Sequence, residues 1–265
     1  MHHALFLAPF EELSDPHALV EVAQAAEEAG WDALFLWDHV LRDPAEATHV
    51  ADAWTMLAAM AGATERLRIG PMVTPPSRRR MATLIRQATT VDHLSQGRLT
   101  VGVGLGVDSY GELTRFGEVV DPRTRGEILD EAVDVLAAAW RGEHVVHRGR
   151  HLTVDGVTFE PRPVQRPSIP LWAAARERAL APVRRAARLD GLFAIEVGVG
   201  DLRRALDEVV AVRGSLDGFD VAVRVSIFDD PALLDVPGVT WAIHSNAPDI
   251  PRTEALARAT AGPSA

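Results

Sequence analysis

The sequence predicts a (β/α)8 barrel, a closed ring of parallel strands surrounded by helices. Eight short apolar runs recur along the chain, and segments with helical periodicity separate most of them. The length of 265 residues is close to the roughly 250 that such a barrel needs. A doubly wound open sheet is the alternative fold. It is disfavoured because no strand is followed by the glycine-rich dinucleotide-binding fingerprint with its later acid.

The N-terminal part of the chain predicts one strand–helix–strand unit. The runs Ala4–Ala8 and Ala33–Trp37 are its two strands. The segment Ser14–Pro16 starts the helix between them, since it offers a capping side chain followed by proline at the first helical position. Gly30 marks the end of that helix.

The same alternation continues to the end of the chain. The later strands are predicted at Leu67–Val73, Leu99–Leu105, Ile169–Ala173, Gly191–Ile195, Val221–Phe228 and Val239–His244. The later helices are predicted at Asp52–Thr64, Arg80–Leu94, Thr124–Trp140, Arg178–Leu189, Asp201–Arg213 and Thr253–Ala261. Between the last two strands there is room only for a turn, so we expect the seventh crossover helix to be missing and the C-terminal part, including any substrate lid, to be short.

Residues 143–168 interrupt the rhythm with glycine, proline and alternating polar residues. We interpret this segment as a hairpin-like insertion before the fifth barrel strand. Neither a linker nor an internal repeat is apparent, so residues 1–265 are expected to form a single domain.

Composition excludes several functions. The chain has 37 acidic and 27 basic residues, and every basic residue is arginine. Nucleic-acid binding is disfavoured because it needs a basic surface, and Schiff-base chemistry is excluded because it needs a lysine. Without cysteine there is no thiolate catalysis. No apolar run approaches bilayer length and no signal peptide is evident, so we expect a cytoplasmic protein without a membrane partner.

Polar residues at the carboxyl ends of the strands are the candidates for chemistry, because barrel enzymes place their active sites there. Asp38 and His39 follow the second strand, where an imidazole could hydrogen-bond or protonate a bound cofactor. A strand-end histidine bonded to an aspartate can equally be structural. Prolines bracket the end of the third strand. At the end of the fourth strand, Gly102, Gly104 and Gly106 either let a ligand approach the backbone closely or simply fit the narrowing of the barrel.

Two further clusters are weaker candidates. His144, His147 and His151 lie in the insertion, but no metal-ligand pattern accompanies them, so a surface hairpin is favoured and no metal is predicted. The run Arg78–Arg80 is interpreted as the solvated start of a helix rather than an anion site.

Eight collinear segments between residues 29 and 191 carry a resemblance to a known family. They are Ala29–His39, Asp52–Thr55, Thr64–Gly70, Arg86–Leu99, Asp121–Arg123, Pro161–Gln165, Pro170–Trp172 and Ala186–Gly191. Their order and spacing, with the glycine run ending at Gly106, resemble the luciferase-like monooxygenase superfamily of flavin- and deazaflavin-dependent barrel enzymes. The likeness covers most of residues 4–195.

The resemblance implies a non-proline cis peptide bond at Met72–Val73, with Val73 supporting the cofactor ring. It implies Asp38 and His39 as catalytic residues beside that ring. The cofactor-binding residues that it implies are Asp38, His39, Met72, Val73, Thr74, Gly104, Leu105, Gly106, Ala174, Ala175 and Arg176. The tail contacts depart from the family pattern, since alanines occupy 173–175 where a glycine pair is usual.

The resemblance implies an oxidoreductase or monooxygenase that acts on a small organic substrate. Coenzyme F420, a deazaflavin, is preferred because the Trp37–His39 segment looks like that of its users, and FMN is the alternative. A sugar-phosphate substrate is disfavoured, since Val107 stands where such enzymes have glutamate and the chain lacks lysine. We also expect a homodimer and a separate reductase as partners. A cofactor-binding barrel without turnover is the competing hypothesis.

Overall fold

The computed structural model describes residues 1–43, 45, 48–176, 179–226 and 229–263. The strands are β1 (His2–Leu7), β2 (Ala33–Leu36), β3 (Arg68–Pro71), β4 (Val101–Val103), β5 (His144–Arg148), β6 (Thr153–Thr158), β7 (Leu171–Arg176), β8 (Gly191–Ile195), β9 (Asp220–Val225) and β10 (Trp241–Ser245). The α-helices are α1 (Pro16–Glu28), α2 (Ala53–Ala63), α3 (Met81–Leu94), α4 (Pro122–Trp140), α5 (Leu180–Ala186), α6 (Val199–Arg213) and α7 (Arg252–Ala261).

The fold is the predicted barrel. Eight parallel strands run in the order β3-β2-β1-β10-β9-β8-β7-β4. Single bridges from Ile69 to Leu99 and from Thr74 to Val103 bring β3 and β4 together, so the ring is nearly closed. In this ring β2 and β8 lie opposite each other, because three strands separate them on either side.

Aspartate caps explain where three of the helices begin. Asp15, Asp52 and Asp121 each accept a hydrogen bond from a first-turn amide, at 2.9, 2.8 and 2.7 Å. Such caps satisfy donors that have no partner inside the helix. The cap at Asp121 starts α4 at Pro122, two residues before the predicted start.

Strand boundaries differ more from the prediction than helix boundaries do. The β8 strand matches, but β3 and β4 are shorter than predicted. The β3 strand ends at Pro71, just before the Met72–Val73 peptide bond, which is cis as the resemblance implied. The predicted strand end at Phe228 and helix start at Arg178 lie outside the described residues.

Strand alternation divides the apolar residues into two layers. On β1, Ala4 and Phe6 point into the barrel, whereas Leu5 and Leu7 point to the helices. Aromatic rings fill the lower part of the barrel: the ring centroids of Trp172 and Trp241 are 5.5 Å apart. The space that remains lies above this floor, at the carboxyl ends of the strands.

The predicted insertion is an antiparallel hairpin of β5 and β6. Glu131 of α4 holds its tip by accepting the amides of Arg150 and Leu152, each at 2.8 Å, and the Nε2 of His147 lies 3.2 Å from it. Among the described residues, no group of three or more histidine, aspartate or glutamate side chains is arranged to hold a metal ion.

The connection between the last two strands is short, as predicted. Between β9 and β10 the described residues form only a 3-10 turn at Pro231–Leu233 instead of a crossover helix. Nowhere in the described chain is a helix both long and apolar enough to span a bilayer.

Candidate active site

A cavity of about 390 Å³ opens at the carboxyl ends of the barrel strands. This volume is within the range of small-molecule sites. Its walls are mainly apolar, with Phe6, Trp37, Val73 and Ile195 among them, and the polar groups lie in two places. One group follows β2, β3 and β4, and the other lies at the end of β7, after β8 and on β9.

On the β2 side, His39 is paired with Glu112. The imidazole Nδ1 lies 2.7 Å from Oε1 of Glu112, and the amides of Val40 and Leu41 donate to the same oxygen at 3.2 and 3.3 Å. The Glu112 side chain is 2% exposed and that of His39 is 24% exposed. Because a carboxylate only accepts, Nδ1 carries a proton, and in the neutral imidazole Nε2 then keeps a free lone pair.

Beside this pair, Asp38 is buried in a network of arginines. Arg79 donates to both of its carboxylate oxygens at 2.6 and 2.7 Å, Arg78 lies 3.2 Å from Oδ1, and the Thr74 hydroxyl donates to Oδ2. Arg78 also donates to Glu112 at 3.0 Å. The expectation of a solvated Arg78–Arg80 run is therefore wrong for the first two residues, whose side chains are 6% and 14% exposed.

The loop after β4 lines the cavity and carries three consecutive backbone donors without partners among the described residues. The amides of Leu105, Gly106 and Val107 make no hydrogen bond to another described residue. Arg125 of α4 donates to the carbonyls of Leu105 and Gly106, both at 2.9 Å, and so fixes the loop from behind. Such successive free amides are suited to an electron-rich ligand.

Gly104 permits a close approach of two walls. A Cβ atom at this position would lie 2.7 Å from Cγ2 of Val73, which is closer than real Cβ contacts. The glycine therefore allows Val73 to stand against the glycine loop at the base of the cavity.

Most of the predicted cofactor-binding residues line this cavity. They are Asp38, His39, Met72, Val73, Gly104, Leu105, Gly106, Ala174 and Arg176. Thr74 lies behind the wall, bonded to Asp38, and the side chain of Ala175 points to the helices because the neighbouring Ala174 points inward.

On the opposite side, three charged residues meet. Glu196 follows β8 and lies 3.0 Å from Arg176 and 3.3 Å from Arg224. Arg224 also lies 3.4 Å from Asp229. Glu196, Arg176 and Arg224 all line the cavity.

Sequence reasoning missed Glu112, Glu196, Arg78, Arg125 and Arg224 as site residues. Glu112 and Arg78 stand in loops without periodicity, and Arg125 resembles an ordinary polar residue of α4. Trp37 supplies one more polar atom: its indole N–H is buried, lines the cavity with its ring and has no hydrogen-bond partner in the described structure. A buried donor without a partner is costly.

The barrel and its cavity define a class of protein. A family model described as luciferase-like monooxygenase matches residues 4–230, and the chain belongs to this family.

The individual proteins similar to this chain share about a third of its residues or fewer. A protein of Microbacterium testaceum named F420-dependent glucose-6-phosphate dehydrogenase is 32% identical over 161 residues, which are 60% of this chain and 47% of that protein. The chain thus spans about half the length of that relative. A solved F420-dependent secondary alcohol dehydrogenase, in complex with an F420-acetone adduct, superposes with a TM-score of 0.74 at 22% identity, over 84% of this chain and 68% of that one.

A second solved structure is a monooxygenase from Streptomyces bottropensis. It superposes with a TM-score of 0.72 at 23% identity and covers 85% of this chain and 71% of its own. At these identities the two structures show the shared fold.

Proposed function

We propose that this protein is an oxidoreductase that binds coenzyme F420 and exchanges a hydride with a small organic substrate, with His39 handling the proton. The observation that carries the proposal is the His39–Glu112 pair at the cavity wall, 2.7 Å between Nδ1 and Oε1. The F420-dependent proteins among the relatives support the choice of cofactor.

The described residues fit a flat ring with an electron-rich edge. Val73 and Gly104 supply an apolar support, and the free amides of Leu105, Gly106 and Val107 supply hydrogen-bond donors. Arg176 bonds to Glu196 through one terminal nitrogen, and the rest of its guanidinium is exposed at the rim, where it can meet an anionic tail outside the cavity. When bound, F420 supplies a ring carbon that accepts or gives a hydride.

His39 acts as the general base or acid. Its Nε2 lone pair takes the proton of a substrate hydroxyl when the substrate is oxidised, and the imidazolium returns a proton in the reverse direction. Glu112 orients the ring and stabilises its charged form, and Arg78 balances the carboxylate from the other side. An oriented imidazole plays the same part in hydrolytic and acyl-transfer enzymes.

Asp38 has a positioning role in this proposal. Both of its carboxylate oxygens are used by Arg79 and further donors, and its side chain is 1% exposed. It fixes the start of the loop that carries His39. Proton transfer is therefore assigned to His39 alone.

Separate titrations with F420 and with FMN test the cofactor. We expect a shifted visible absorption spectrum with F420 and a dissociation constant at least about tenfold lower than that of FMN, a difference of about 1.4 kcal/mol. Tighter binding of FMN would overturn the choice of F420 and favour the monooxygenase chemistry of the other branch of the family.

Proton handling is tested with His39→Gln. The rate of hydride transfer from an alcohol substrate to F420 is measured by the loss of the visible absorption of the oxidised cofactor. We expect this rate to fall by about 100-fold or more. His17→Gln, on the exposed face of α1, is the matched control and keeps the wild-type rate. Equal rates in the two variants would remove His39 from the chemistry, and a protein that binds F420 without any turnover would favour a binding function.

A further inference from the structure

The cavity has a second group of polar side chains opposite His39, formed by Glu196 and Arg224, and we call this group the second pole. His39 follows β2, whereas Glu196 directly follows β8, and these two strands face each other across the ring. Arg224 stands on the inward face of β9, two residues beyond the inward Ala222. A substrate whose reacting carbon lies near His39 can therefore extend its remote end toward Glu196 and Arg224.

This pole retains unused hydrogen-bonding capacity. Arg224 uses one N–H of each terminal nitrogen, and the second N–H of each has no partner among the described residues. The contacts of Arg224 with Glu196 and Asp229, at 3.3 and 3.4 Å, are long for charge-assisted hydrogen bonds. Each Glu196 oxygen accepts one bond and has room for another. The pole thus offers a free donor and a free acceptor side by side.

Among the described residues that line the cavity, acidic and basic side chains are equal in number. Apart from His39, they are Asp38, Glu112, Glu196, Arg78, Arg176 and Arg224. Within the described lining, each of these arginines has a carboxylate partner within 4 Å. An anionic substrate group would therefore have to compete with Glu196 for its arginines, whereas an uncharged group adds to the existing bonds.

The backbone conformation at Glu196 is a further argument that this side chain contacts a ligand. Its φ angle is 55°, in the left-handed region that favours glycine. Strained residues of this kind cluster at ligand sites. A carboxylate is present here although the turn itself would accept glycine more easily.

We infer that the substrate is an uncharged molecule with an apolar body and a hydroxyl group at the end remote from the reacting carbon, and that this hydroxyl donates to Glu196 and accepts from a terminal guanidinium N–H of Arg224. The inference rests on the proposed function and names its substrate class. A hydroxyl suits the pole because one oxygen both donates and accepts. The apolar body packs against Phe6, Trp37 and Ile195.

Three probes that share one ring test the remote group. They are cyclohexanol, trans-cyclohexane-1,4-diol and trans-4-hydroxycyclohexanecarboxylate, which differ only in a hydrogen, a hydroxyl or a carboxylate at the far carbon. Binding is measured by ligand-observed NMR with and without F420. We expect the diol to bind about tenfold more tightly than cyclohexanol, as two hydrogen bonds predict, and the carboxylate to bind no more tightly than cyclohexanol.

Glu196→Gln makes the test sharper, because the amide keeps the size and removes the charge. Arg176 and Arg224 then lose their shared carboxylate, so we expect this variant to bind the carboxylate probe at least about tenfold more tightly than the wild type does. Glu208→Gln, on α6 and outside the cavity lining, is the control and keeps the wild-type order. A wild-type protein that prefers the carboxylate, or that does not distinguish the three probes, would overturn the inference.

The probes also separate this inference from the proposed function. If the protein prefers the diol but fails to bind F420, the proposed cofactor is wrong and the inference about Glu196 and Arg224 still holds. If the protein turns over with F420 but shows no preference for the diol, only the inferred recognition of a remote hydroxyl is wrong.

Discussion

Nδ1 of His39 lies 2.7 Å from Oε1 of Glu112, although 73 residues separate the two in the chain. The carboxylate is itself held by two backbone amides and by Arg78. An imidazole anchored in this way has one defined tautomer and one free nitrogen. The arrangement gives the barrel a rigid proton-transfer group at its carboxyl-terminal face.

Glu112→Gln is expected to lower kcat by about 100-fold with little change in KM. The amide of glutamine can donate to Nδ1, which moves the proton to Nε2 and blocks the base. Steady-state kinetics over a range of pH measures the effect, and the limb of the profile due to His39 should change. Glu28→Gln on the exposed side of α1 is the control. An unaltered profile would argue against an orienting role for Glu112.

Asp38→Asn is expected to destabilise the protein by about 3–5 kcal/mol, because it leaves the buried charge of Arg79 without its partner. Denaturant unfolding measures the change. The double variant Asp38→Asn, Arg79→Met should recover part of the loss. Asp155→Asn, which breaks the exposed pair with Arg148 in the hairpin, is the control and should leave the midpoint unchanged. A comparable loss in the control would contradict the argument from burial.

Gly104→Ala is expected to weaken F420 binding by about tenfold or more, since the new methyl group displaces Val73 from the cavity wall. Absorption titration measures the affinity. Gly62→Ala on α2 is the matched control, because a Cβ there meets nothing within 4 Å. If both variants bound F420 like the wild type, the support assigned to Val73 would be unnecessary.

Arg125→Met is expected to raise the dissociation constant of F420 by about tenfold, because the carbonyls of Leu105 and Gly106 lose the group that orients their loop. The same titration detects the change. Arg123→Met, two residues earlier and 87% exposed, serves as the control. Normal affinity in Arg125→Met would mean that the loop holds its shape without this arginine.

His244 makes stability depend on pH. Burial first, and then the positive charges of His3 and Arg258, lower the pKa of His244 to about 4 from 6.5. Above pH 6.5 it is neutral in both states. As the pH falls from 6.5 to 4 only the unfolded chain takes up the proton, so stability decreases, by about 3 kcal/mol in total, and the loss levels off below pH 4.

Unfolding free energies at several pH values check this expectation. The His244→Gln variant should lose less stability between pH 6.5 and 4 than the wild type does. His17→Gln should keep the wild-type slope. Parallel curves for the wild type and His244→Gln would show that the folded protein protonates His244 as readily as the unfolded chain does.

Local sequence signals were sufficient for the barrel and for part of its site. The capping residue at Asp15 and the apolar run Gly191–Ile195 act over a few residues, and the structure places the helix and strand where they predict. Asp38 and His39 were found because they directly follow a strand. Arg78 was misinterpreted because a run of arginines before a helix is usually solvated, and burial by carboxylates from distant segments leaves no local trace.

The sequence by itself determined the order of strands and helices, the hairpin insertion and the face of the barrel where the chemistry lies. Each of these depends on periodicity or on turn residues that act between neighbours in the chain. Only the tertiary structure decided which charges meet. The partnership of His39 with Glu112 and the position of Glu196 opposite them follow from the closure of the ring, because side chains at the ends of different strands become neighbours only when the barrel has formed.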